Sequence, residues 1–244
     1  MKRAPVNTPR HGLARTLSKL GTCSRTQAAQ YAREGRVAIN GRIVRDPEAP
    51  VDPERDRIAL DGREVRAAER VYLMLNKPRG YVTTASDERG RETVYALLEK
   101  AGLPWVAPVG RLDKASEGLL LLTNDSAWAA RITAPESHVD KTYHVQIDRL
   151  PDARLLAALR HGIDEDGEHL SARRASELRR GEKNAWLEIV LDEGRNRQIR
   201  RLLVAHGIGV LRLVRVAIGP VALGTLAKGA FRMLDAAEVA ALAL

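Results

Sequence analysis

The chain has 244 residues, of which 44% are hydrophobic and 29% are charged; this argues against wholesale disorder and fits one large or two smaller folded domains. Apolar runs such as residues 119–122 are far shorter than the ~20 residues of a membrane-spanning helix, and the basic start lacks the apolar segment of a secretion signal. A single cysteine, Cys23, excludes an internal disulfide and a cysteine-rich metal site, as expected of a cytoplasmic protein.

The positive charge is concentrated at the start of the chain. The net charge is +9, and residues 1–46 hold ten basic residues against two acidic ones. A concentrated cationic segment suits a polyanionic partner, and nucleic acid is the commonest such partner. A solvated face that only favours solubility is the alternative. Aromatic residues make up 4% of the chain, which argues against recognition built mainly on base stacking.

A basic helix–loop–helix that leads into short hairpins is predicted in the first quarter of the chain. Ser24 and Gln27 form a capping-box pattern that opens a helix. Asn-Gly at residues 40–41 lies between two short apolar strands and predicts a hairpin, and Asp-Gly at residues 61–62 marks a second turn. Four arginines of this module could face phosphates together: Arg25, Arg33, Arg36 and Arg42.

The remainder of the chain, residues 71–244, carries a net charge of only +3 and mixes helical and strand periodicities. Helices are predicted at residues 93–100, 125–132, 151–161 and 195–206, strands at residues 71–75, 119–123, 141–147, 185–191 and 210–218, and a hairpin at residues 164–170. This irregular grouping favours an α+β fold over a repeating βαβ sheet.

The sequence lacks the motifs of several cofactor-dependent and metal-dependent activities. It has no phosphate-binding GxxxxGK[ST], no GxGxxG after a strand, and no zinc-binding HExxH or deaminase signature. We therefore expect an enzyme with this sequence to need neither a metal nor a soluble cofactor. Cys23 is predicted to be a small packed residue, and His144 a structural or solvent-side one.

Asp113 lies in a polar loop that is bracketed by glycines and feeds an apolar strand. Such a strand can hold a carboxylate rigidly at the edge of a cleft. Arg111 and Lys114 flank this carboxylate and would favour its ionised form. The alternative is a surface turn with a weak salt bridge. Tyr143 lies on the apolar side of a predicted strand, where packing in the core is the commoner role.

Residues 193–201 open a predicted helix with four arginines, namely Arg195, Arg197, Arg200 and Arg201. Positive charge at the start of a helix is unfavourable with the helix dipole. The crowding therefore suggests an anionic ligand or a carboxylate partner at this position, and a solvated arginine-rich helix is the alternative.

Three of these segments closely resemble motifs of the RsuA family of pseudouridine synthases: GRLDKASEGLLLLTND at 110–125, KTYHV at 141–145 and EGRNRQIRRLL at 193–203. Two further segments also look like that family, at residues 75–84 and 213–234. Residues 17–47 resemble the S4 RNA-binding module that such enzymes carry in front.

The resemblance implies an α+β protein in which a small S4-type module precedes a mixed, largely antiparallel sheet with flanking helices. The expected divisions are a basic tail at 1–11, the S4-like domain at 12–68 and the catalytic domain at 69–244. Within the S4-like domain, the residues expected to contact RNA are Arg25, Arg33, Arg36, Asn40 and Arg42.

The family isomerises uridine in RNA by breaking the N-glycosidic bond, turning the detached uracil and joining C5 to C1′. The resemblance makes Asp113 the essential carboxylate, as nucleophile or as proton acceptor on the sugar, with Arg200 as its partner. Tyr143 would pack on the target base and could move a proton from C5. The residues implied in substrate binding are Arg111, which would fill the space of the flipped base, Ile199 as an apolar wall, Arg195 and Arg197.

The expected partner is RNA, in particular ribosomal RNA or a ribosomal assembly intermediate, and the expected state is a monomer without membrane contact. Two alternatives stay open at this point. A non-catalytic RNA-binding assembly factor would have no need of the three catalytic residues together. A nucleoside hydrolase would normally need a second carboxylate as acid, and the sequence offers no convincing one near the loop of Asp113.

Overall fold

The computed structural model describes residues 11–85, 87 and 89–243, so residues 1–10 of the predicted basic tail lie outside the described residues. The chain forms two compact units. The first contains the described residues up to Val71, together with Ala101–Ala107 and Asn124–Ser126. The second contains the described residues of Tyr72–Lys100, Pro108–Thr123 and Ala127–Leu244.

The first unit is built from two helices and short strands. Its elements in chain order are β1 (His11–Gly12), α1 (Leu13–Lys19), α2 (Arg25–Arg33), β2 (Val37–Ile39), β3 (Arg42–Ile43), β4 (Pro50–Val51), β5 (Ile58–Leu60) and β6 (Arg63–Glu64). Strands β3-β2-β5-β6 form an antiparallel sheet in that order, and β1 pairs with β4. The helices pack over an apolar core that includes Leu13, Leu17 and Cys23.

Three local predictions for this unit are confirmed. Ser24 Oγ accepts from the backbone N–H of Gln27 at 3.1 Å, and the Gln27 side chain accepts from the backbone of Ser24 at 3.0 Å, so the capping box is complete. The first hairpin turns at Asn40 and Gly41 with φ of 51° and 79°, the left-handed geometry that this pair favours. Cys23 is buried, and burial raises the pKa of its thiol to about 11, as fits a packing residue.

The second unit is a mixed sheet with flanking helices. Its strands are β7 (Tyr72–Lys77), β9 (Glu117–Thr123), β10 (Lys141–Ile147), β11 (Ile163–Glu165), β12 (Glu168–Leu170), β13 (Arg174–Arg180), β14 (Ala185–Leu191), β15 (Val210–Ile218), β16 (Val221–Ala222) and β17 (Phe231–Met233), with β8 (Ala107–Pro108) before β9. The helices are α3 (Ser126–Thr133), α4 (Ala153–His161), α5 (Gln198–Ala205) and α6 (Ala236–Ala241), with 3-10 turns at Val94–Leu97 and Pro135–Ser137.

The main path of the sheet runs β13-β14-β10-β15-β9-β7-β17. Neighbouring strands along it are antiparallel except β15 and β9, which are parallel. Strand β9 is buried along its whole length, as its run of leucines predicts. No helix among the described residues has the length and apolar character that a membrane crossing requires.

Two predicted helices of this unit differ from the structure. The helix expected at residues 93–100 is only the 3-10 turn Val94–Leu97. The arginine-rich helix begins at Gln198 rather than at residue 195, because Arg197 adopts a left-handed conformation with φ of 50° and ends the preceding loop. The first two arginines of that segment therefore lie in a loop, and only Arg200 and Arg201 are helical.

Candidate active site

A cavity of about 710 Å³ in the second unit brings together all seven residues predicted for the catalytic domain. These are Arg111, Asp113, Tyr143, Arg195, Arg197, Ile199 and Arg200. They come from the loop before β9, from β10, and from the loop and first turn of α5. Residues that are up to 89 positions apart in the sequence thus share one concave site, as binding sites in folded enzymes do.

The loop that carries Asp113 is fixed through its backbone. The Thr83 hydroxyl donates to the carbonyl of Leu112 at 2.8 Å and accepts from the Leu112 N–H at 3.3 Å. The Ser116 N–H donates to the carbonyl of Asp113 at 3.0 Å, and the Gly80 N–H donates to the carbonyl of Lys114 at 2.8 Å. Residues 80 and 83, which belong to the segment 75–84, therefore help to hold the loop that carries the carboxylate.

Lys77 completes this support from within the sheet. It is the last residue of β7 and is fully buried, although it carries an ammonium group. Its Nζ donates to the carbonyls of Ser116 at 2.8 Å and of Asp113 and Pro78 at 3.1 Å. Burial lowers the pKa of Lys77 to about 8, while Asp113 and Glu117 oppose part of that effect. Three carbonyls account for all three donors of the charged amine, which explains why a lysine is tolerated here.

The carboxylate of Asp113 has a different partner from the one predicted. Its Oδ2 lies 3.5 Å from Nη1 of Arg197, and no ion pair with Arg200 occurs in the described structure. The expected pairing of Arg200 with Asp113 is therefore wrong for this structure. The physical reason is the left-handed turn at Arg197, which precedes the helix and places its guanidinium at the loop of Asp113. Neither does Arg111 or Lys114 form an ion pair with this carboxylate among the described residues.

Arg200 is less exposed to solvent than Arg197. Its Nη2 donates to the carbonyl of Ala115 at 3.3 Å, and its Nε is buried without a hydrogen-bond partner among the described residues. Burial lowers the pKa of Arg200, and the charge of Arg197 lowers it further, whereas Asp113 acts in the opposite direction. Arg200 is thus a partly desolvated cation within electrostatic range of Asp113.

Tyr143 and Ile199 supply the apolar surface of the cavity. Both side chains are buried, with 8% and 4% of their surfaces exposed. Tyr143 alternates with outward-facing neighbours along β10, so its ring points to the same side of the sheet as Val145 and Ile147. An aromatic ring and an aliphatic side chain in one cavity suit a flat, partly apolar ligand such as a base.

Ion pairs at the surface hold two further arginines, Arg195 in the loop before α5 and Arg201 in the first turn of α5. Arg195 pairs with Glu193 at 2.8 Å and with Glu168 at 3.1 Å. Arg201 pairs with Glu168 at 2.8 Å and also with Glu165. The carboxylate partners that the crowding of arginines predicted are therefore present, but they come from the hairpin of β11 and β12 and from the loop itself.

The residues predicted to contact RNA in the first unit have two kinds of environment. Arg25, Arg33 and Arg42 are exposed, and none forms an ion pair within the described part of the chain. Arg36 donates to both carboxylate oxygens of Asp61 at 2.9 and 2.7 Å and lies over the ring of Tyr31. Asn40 hydrogen-bonds Asp56 and the backbone of Arg57. Arg36 and Asn40 therefore already have partners within the first unit. Contact with RNA stays a prediction for all five residues.

Sequence reasoning missed three residues that support or line the site. Lys77, Thr83 and Arg215 act through contacts between strands and loops that are far apart in the chain, so no local pattern identifies them. A signal for Lys77 exists, namely a lone lysine at the end of a run of buried residues. Arg215 likewise interrupts the largely apolar sequence of β15, as Arg212 also does.

Comparison with known proteins identifies the class of enzyme. Residues 71–205 match the family model for RNA pseudouridylate synthase, and residues 12–58 match the S4 domain. The chain is 39% identical over 228 residues to an uncharacterized RNA pseudouridine synthase of Aquifex aeolicus, which covers 93% of this chain and 91% of that protein. It is 34% identical over 230 residues to ribosomal large subunit pseudouridine synthase B of Bacillus subtilis, with 93% of each chain covered.

A solved structure points to the same class. The crystal structure of a pseudouridylate synthase aligns over 95% of this chain and 99% of its own, with a TM-score of 0.65 and 32% identity. These matches define an RNA-modifying isomerase with an S4 RNA-binding domain in front. The chain belongs to the RNA pseudouridylate synthase family, and it converts uridine to pseudouridine in RNA. The predicted family, α+β fold class and activity are confirmed.

Proposed function

We propose that this enzyme modifies a uridine of ribosomal RNA, in the large subunit, and that Asp113 is its essential carboxylate. The observation that carries the assignment of Asp113 is its position on a backbone-fixed loop at the border of a cavity that also contains Tyr143 and Arg200. The choice of RNA rests on the similarity to ribosomal large subunit pseudouridine synthase B of Bacillus subtilis.

The reaction needs no co-reactant. The bond from N1 of uracil to C1′ of the ribose breaks, C5 then joins C1′, and the proton on C5 is lost while N1 gains one. A carboxylate can start this sequence as a nucleophile at C1′ or as a base on the sugar. The backbone hydrogen bonds around Asp113 favour either role, because they hold the carboxylate in place before the substrate arrives.

Arg200 and Tyr143 supply the surroundings that the proposed chemistry requires. Arg200 is a partly buried cation, so water would screen its charge on Asp113 and on the detached uracil less than at an exposed site. The Tyr143 ring would pack against the base, and its hydroxyl would move the proton from C5. Ile199 would close the cavity on the apolar side.

The target uridine must leave its stack to reach the cavity, because C1′ and C5 are not both accessible in a helix. Arg111 is exposed at the rim of the cavity and would fill the space that the base leaves. Arg195 and Arg197 lie on the same rim and would contact the flanking backbone. Unstacking costs about a few kcal/mol, and it costs less in a loop or bulge than in a duplex, so an irregular RNA site is the expected target.

The S4 domain would provide much of the phosphate contact. The best candidates are Arg25, Arg33 and Arg42, which are exposed and form no ion pair with the described residues, whereas Arg36 and Asn40 are engaged within the domain. Phosphate contacts by arginines release counterions, so binding should weaken steeply with salt. We further propose that the enzyme acts as a monomer in the cytoplasm, on ribosomal RNA or on an assembly intermediate.

The test of the catalytic assignment uses purified protein and transcripts of the two ribosomal RNAs. Wild-type protein is expected to form pseudouridine in the large-subunit transcript, and Asp113→Asn is expected to form none while it binds the transcript as tightly. Asp164→Asn, at a carboxylate that is 87% exposed outside the cavity, is the matched control and should keep full activity. Undiminished activity of Asp113→Asn would refute the role of Asp113, and modification of the small-subunit transcript alone would refute the choice of RNA.

A further inference from the structure

Arg215 forms part of the floor of the cavity. It is paired with Tyr143 across β10 and β15, so the two side chains leave the sheet on the same face. On its other side it is paired with Gly118 of β9, where a Cβ atom would lie only 2.2 Å from the Arg215 carbonyl oxygen. Glycine at 118 thus allows the parallel strands to approach closely, and this places Arg215 beside the start of the strand that follows Asp113.

The guanidinium of Arg215 is buried but only partly satisfied. The residue is 5% exposed, and its Nε donates to the carbonyl of Leu119 at 2.7 Å. Its Nη2 is buried and has no hydrogen-bond partner among the described residues. Buried donors in native proteins almost always have partners, and an unmade bond to a charged group is expensive. An orphaned donor at the floor of a binding cavity therefore points to a ligand atom that accepts from it.

The neighbours of Arg215 are also cationic. Lys77 and Lys141 lie close enough that the charge of Arg215 contributes to a lowered pKa in both, after the larger effect of burial. No carboxylate forms an ion pair with Arg215 in the described part of the chain. A cationic floor without an acidic partner fits a ligand group that only accepts hydrogen bonds.

Two kinds of acceptor on RNA could meet this donor, the phosphate oxygens and the carbonyl oxygens of a base. Phosphates belong to the backbone, and the exposed arginines at the rim, such as Arg197 with 52% of its side chain exposed, suit them. The base itself would lie at the floor of the cavity, next to the ring of Tyr143. Uracil offers two carbonyl acceptors, at O2 and O4, whereas cytosine has a donor amino group at C4.

We propose that Arg215 is a base-recognition residue whose Nη2 donates a hydrogen bond to a carbonyl oxygen of the everted uracil. The proposal rests on the proposed function, since it uses the same cavity and the same substrate. It extends the set of substrate-binding residues to one that holds the target base from the sheet side. A donor at this position also disfavours cytosine if the acceptor is O4, because two donors would then face each other.

The experiment compares three hairpin RNAs that differ only at the target nucleotide, which is uridine, 2-thiouridine or 4-thiouridine. Sulfur accepts hydrogen bonds more weakly than oxygen does. Single-turnover rates are measured by nucleoside chromatography for wild type, Arg215→Lys and Arg215→Gln. Wild type should be slowed about tenfold or more by one of the two sulfur substitutions, which identifies the oxygen, and Arg215→Gln should be about 10–100-fold slower than wild type on uridine.

The diagnostic result is that the variant no longer discriminates between the uridine and the thiouridine hairpins. In Arg215→Gln the rates on the uridine and thiouridine hairpins should become nearly equal, because the shorter side chain of glutamine does not place a donor at the position of Nη2. Arg179→Gln is the matched control: it removes a guanidinium that stacks on Trp186 outside the catalytic cavity, and it should keep the wild-type discrimination.

Two results would overturn the proposal: a wild-type enzyme that is indifferent to both sulfur substitutions, or an Arg215→Gln variant that discriminates as strongly as wild type. The first needs no variant, so it stands even if the loss of the Leu119 contact unfolds Arg215→Gln. Failure of the proposed function looks different, since Asp113→Asn would then convert the uridine hairpin at the wild-type rate.

Discussion

The two segments that border the catalytic cavity are held by different forces. Residues 112–116, which carry Asp113, are fixed by hydrogen bonds from buried or partly buried groups to their backbone. Residues 193–197, which carry the facing arginines, are held by ion pairs between partly exposed side chains and by two hydrogen bonds with the side chain of Gln198. The first kind of contact is costly to break, because it leaves buried carbonyls without a donor, whereas exposed ion pairs contribute ~0–1 kcal/mol each.

This difference suits the proposed roles of the two segments, which are reaction at the sugar and contact with the RNA backbone. A carboxylate that reacts at one atom of the sugar benefits from a position that is fixed in advance. Arginines that meet an RNA backbone of variable shape can instead exchange their carboxylate partners for phosphates at small cost. Substitutions among the buried groups near Asp113 should therefore have larger effects than substitutions among the exposed ion pairs.

The largest difference is expected between two arginines that lie three residues apart. Arg200→Gln should lower the single-turnover rate about 100-fold, because it removes a partly buried charge from the cavity. Arg197→Gln should lower it only a few-fold, since this guanidinium is half exposed and its pairing with Asp113 is screened by water. RNA affinity is measured in parallel. A larger rate loss for Arg197→Gln would show that the observed ion pair, rather than the buried cation, supports Asp113.

Removal of the buried lysine should affect both stability and rate. Lys77→Met leaves the carbonyls of Pro78 and Ser116 without this donor, so we expect a loss of about 2–4 kcal/mol in the free energy of unfolding in urea. The rate should also fall, because the loop of Asp113 loses its anchor. Lys114→Met, at the exposed lysine of the same loop, should change stability by less than about 0.5 kcal/mol. Equal effects of the two substitutions would contradict the role of Lys77.

The pH dependence of stability gives an independent view of Lys77. Its pKa is about 8 in the folded protein and ~10.4 in an unfolded chain, so between these values the unfolded state binds more protons at this position. The free energy of unfolding of wild type should therefore rise with pH relative to Lys77→Met, by at most about 1.4 kcal/mol per pH unit over that window. Parallel curves for the two proteins would mean that the amine is not desolvated.

The smallest effect is expected at the surface pairs. Glu168→Gln removes the carboxylate that joins Arg195 and Arg201, and the free energy of unfolding should fall by less than about 1 kcal/mol. High salt should reduce the difference between the variant and wild type further. If Glu168→Gln lowered the free energy of unfolding as much as Lys77→Met does, the two segments would not differ in how strongly they are held.

Much of the fold follows from local sequence signals. The capping box at Ser24, the Asn-Gly hairpin and the alternating strand around Tyr143 are each decided by neighbouring residues, and all three are present. Strand β13 (Arg174–Arg180) was missed because its exposed edge position allows a charged sequence without an apolar pattern. Helix α6 (Ala236–Ala241) was also missed, although Asp235 and Glu238 form a capping box.

The residues of the candidate site could be predicted from the sequence, but the contacts between them could not. The family motifs identify Asp113, Tyr143 and Arg200, and the structure gathers them in one cavity. The partner of Asp113 was predicted wrongly because the backbone at Arg197 takes a left-handed conformation, which a sequence of arginines does not reveal. The support from Lys77 depends on a buried contact 36 residues away, which only the folded chain shows.

The most direct test of the central claim is a pseudouridine map of ribosomal RNA from a strain that lacks this gene and is complemented with wild type or Asp113→Asn. We expect one large-subunit uridine to lose its modification in the deletion strain, to regain it with wild type and to stay unmodified with Asp113→Asn. Restoration of that modification by Asp113→Asn, or a deletion map identical to that of the parent, would contradict the claim.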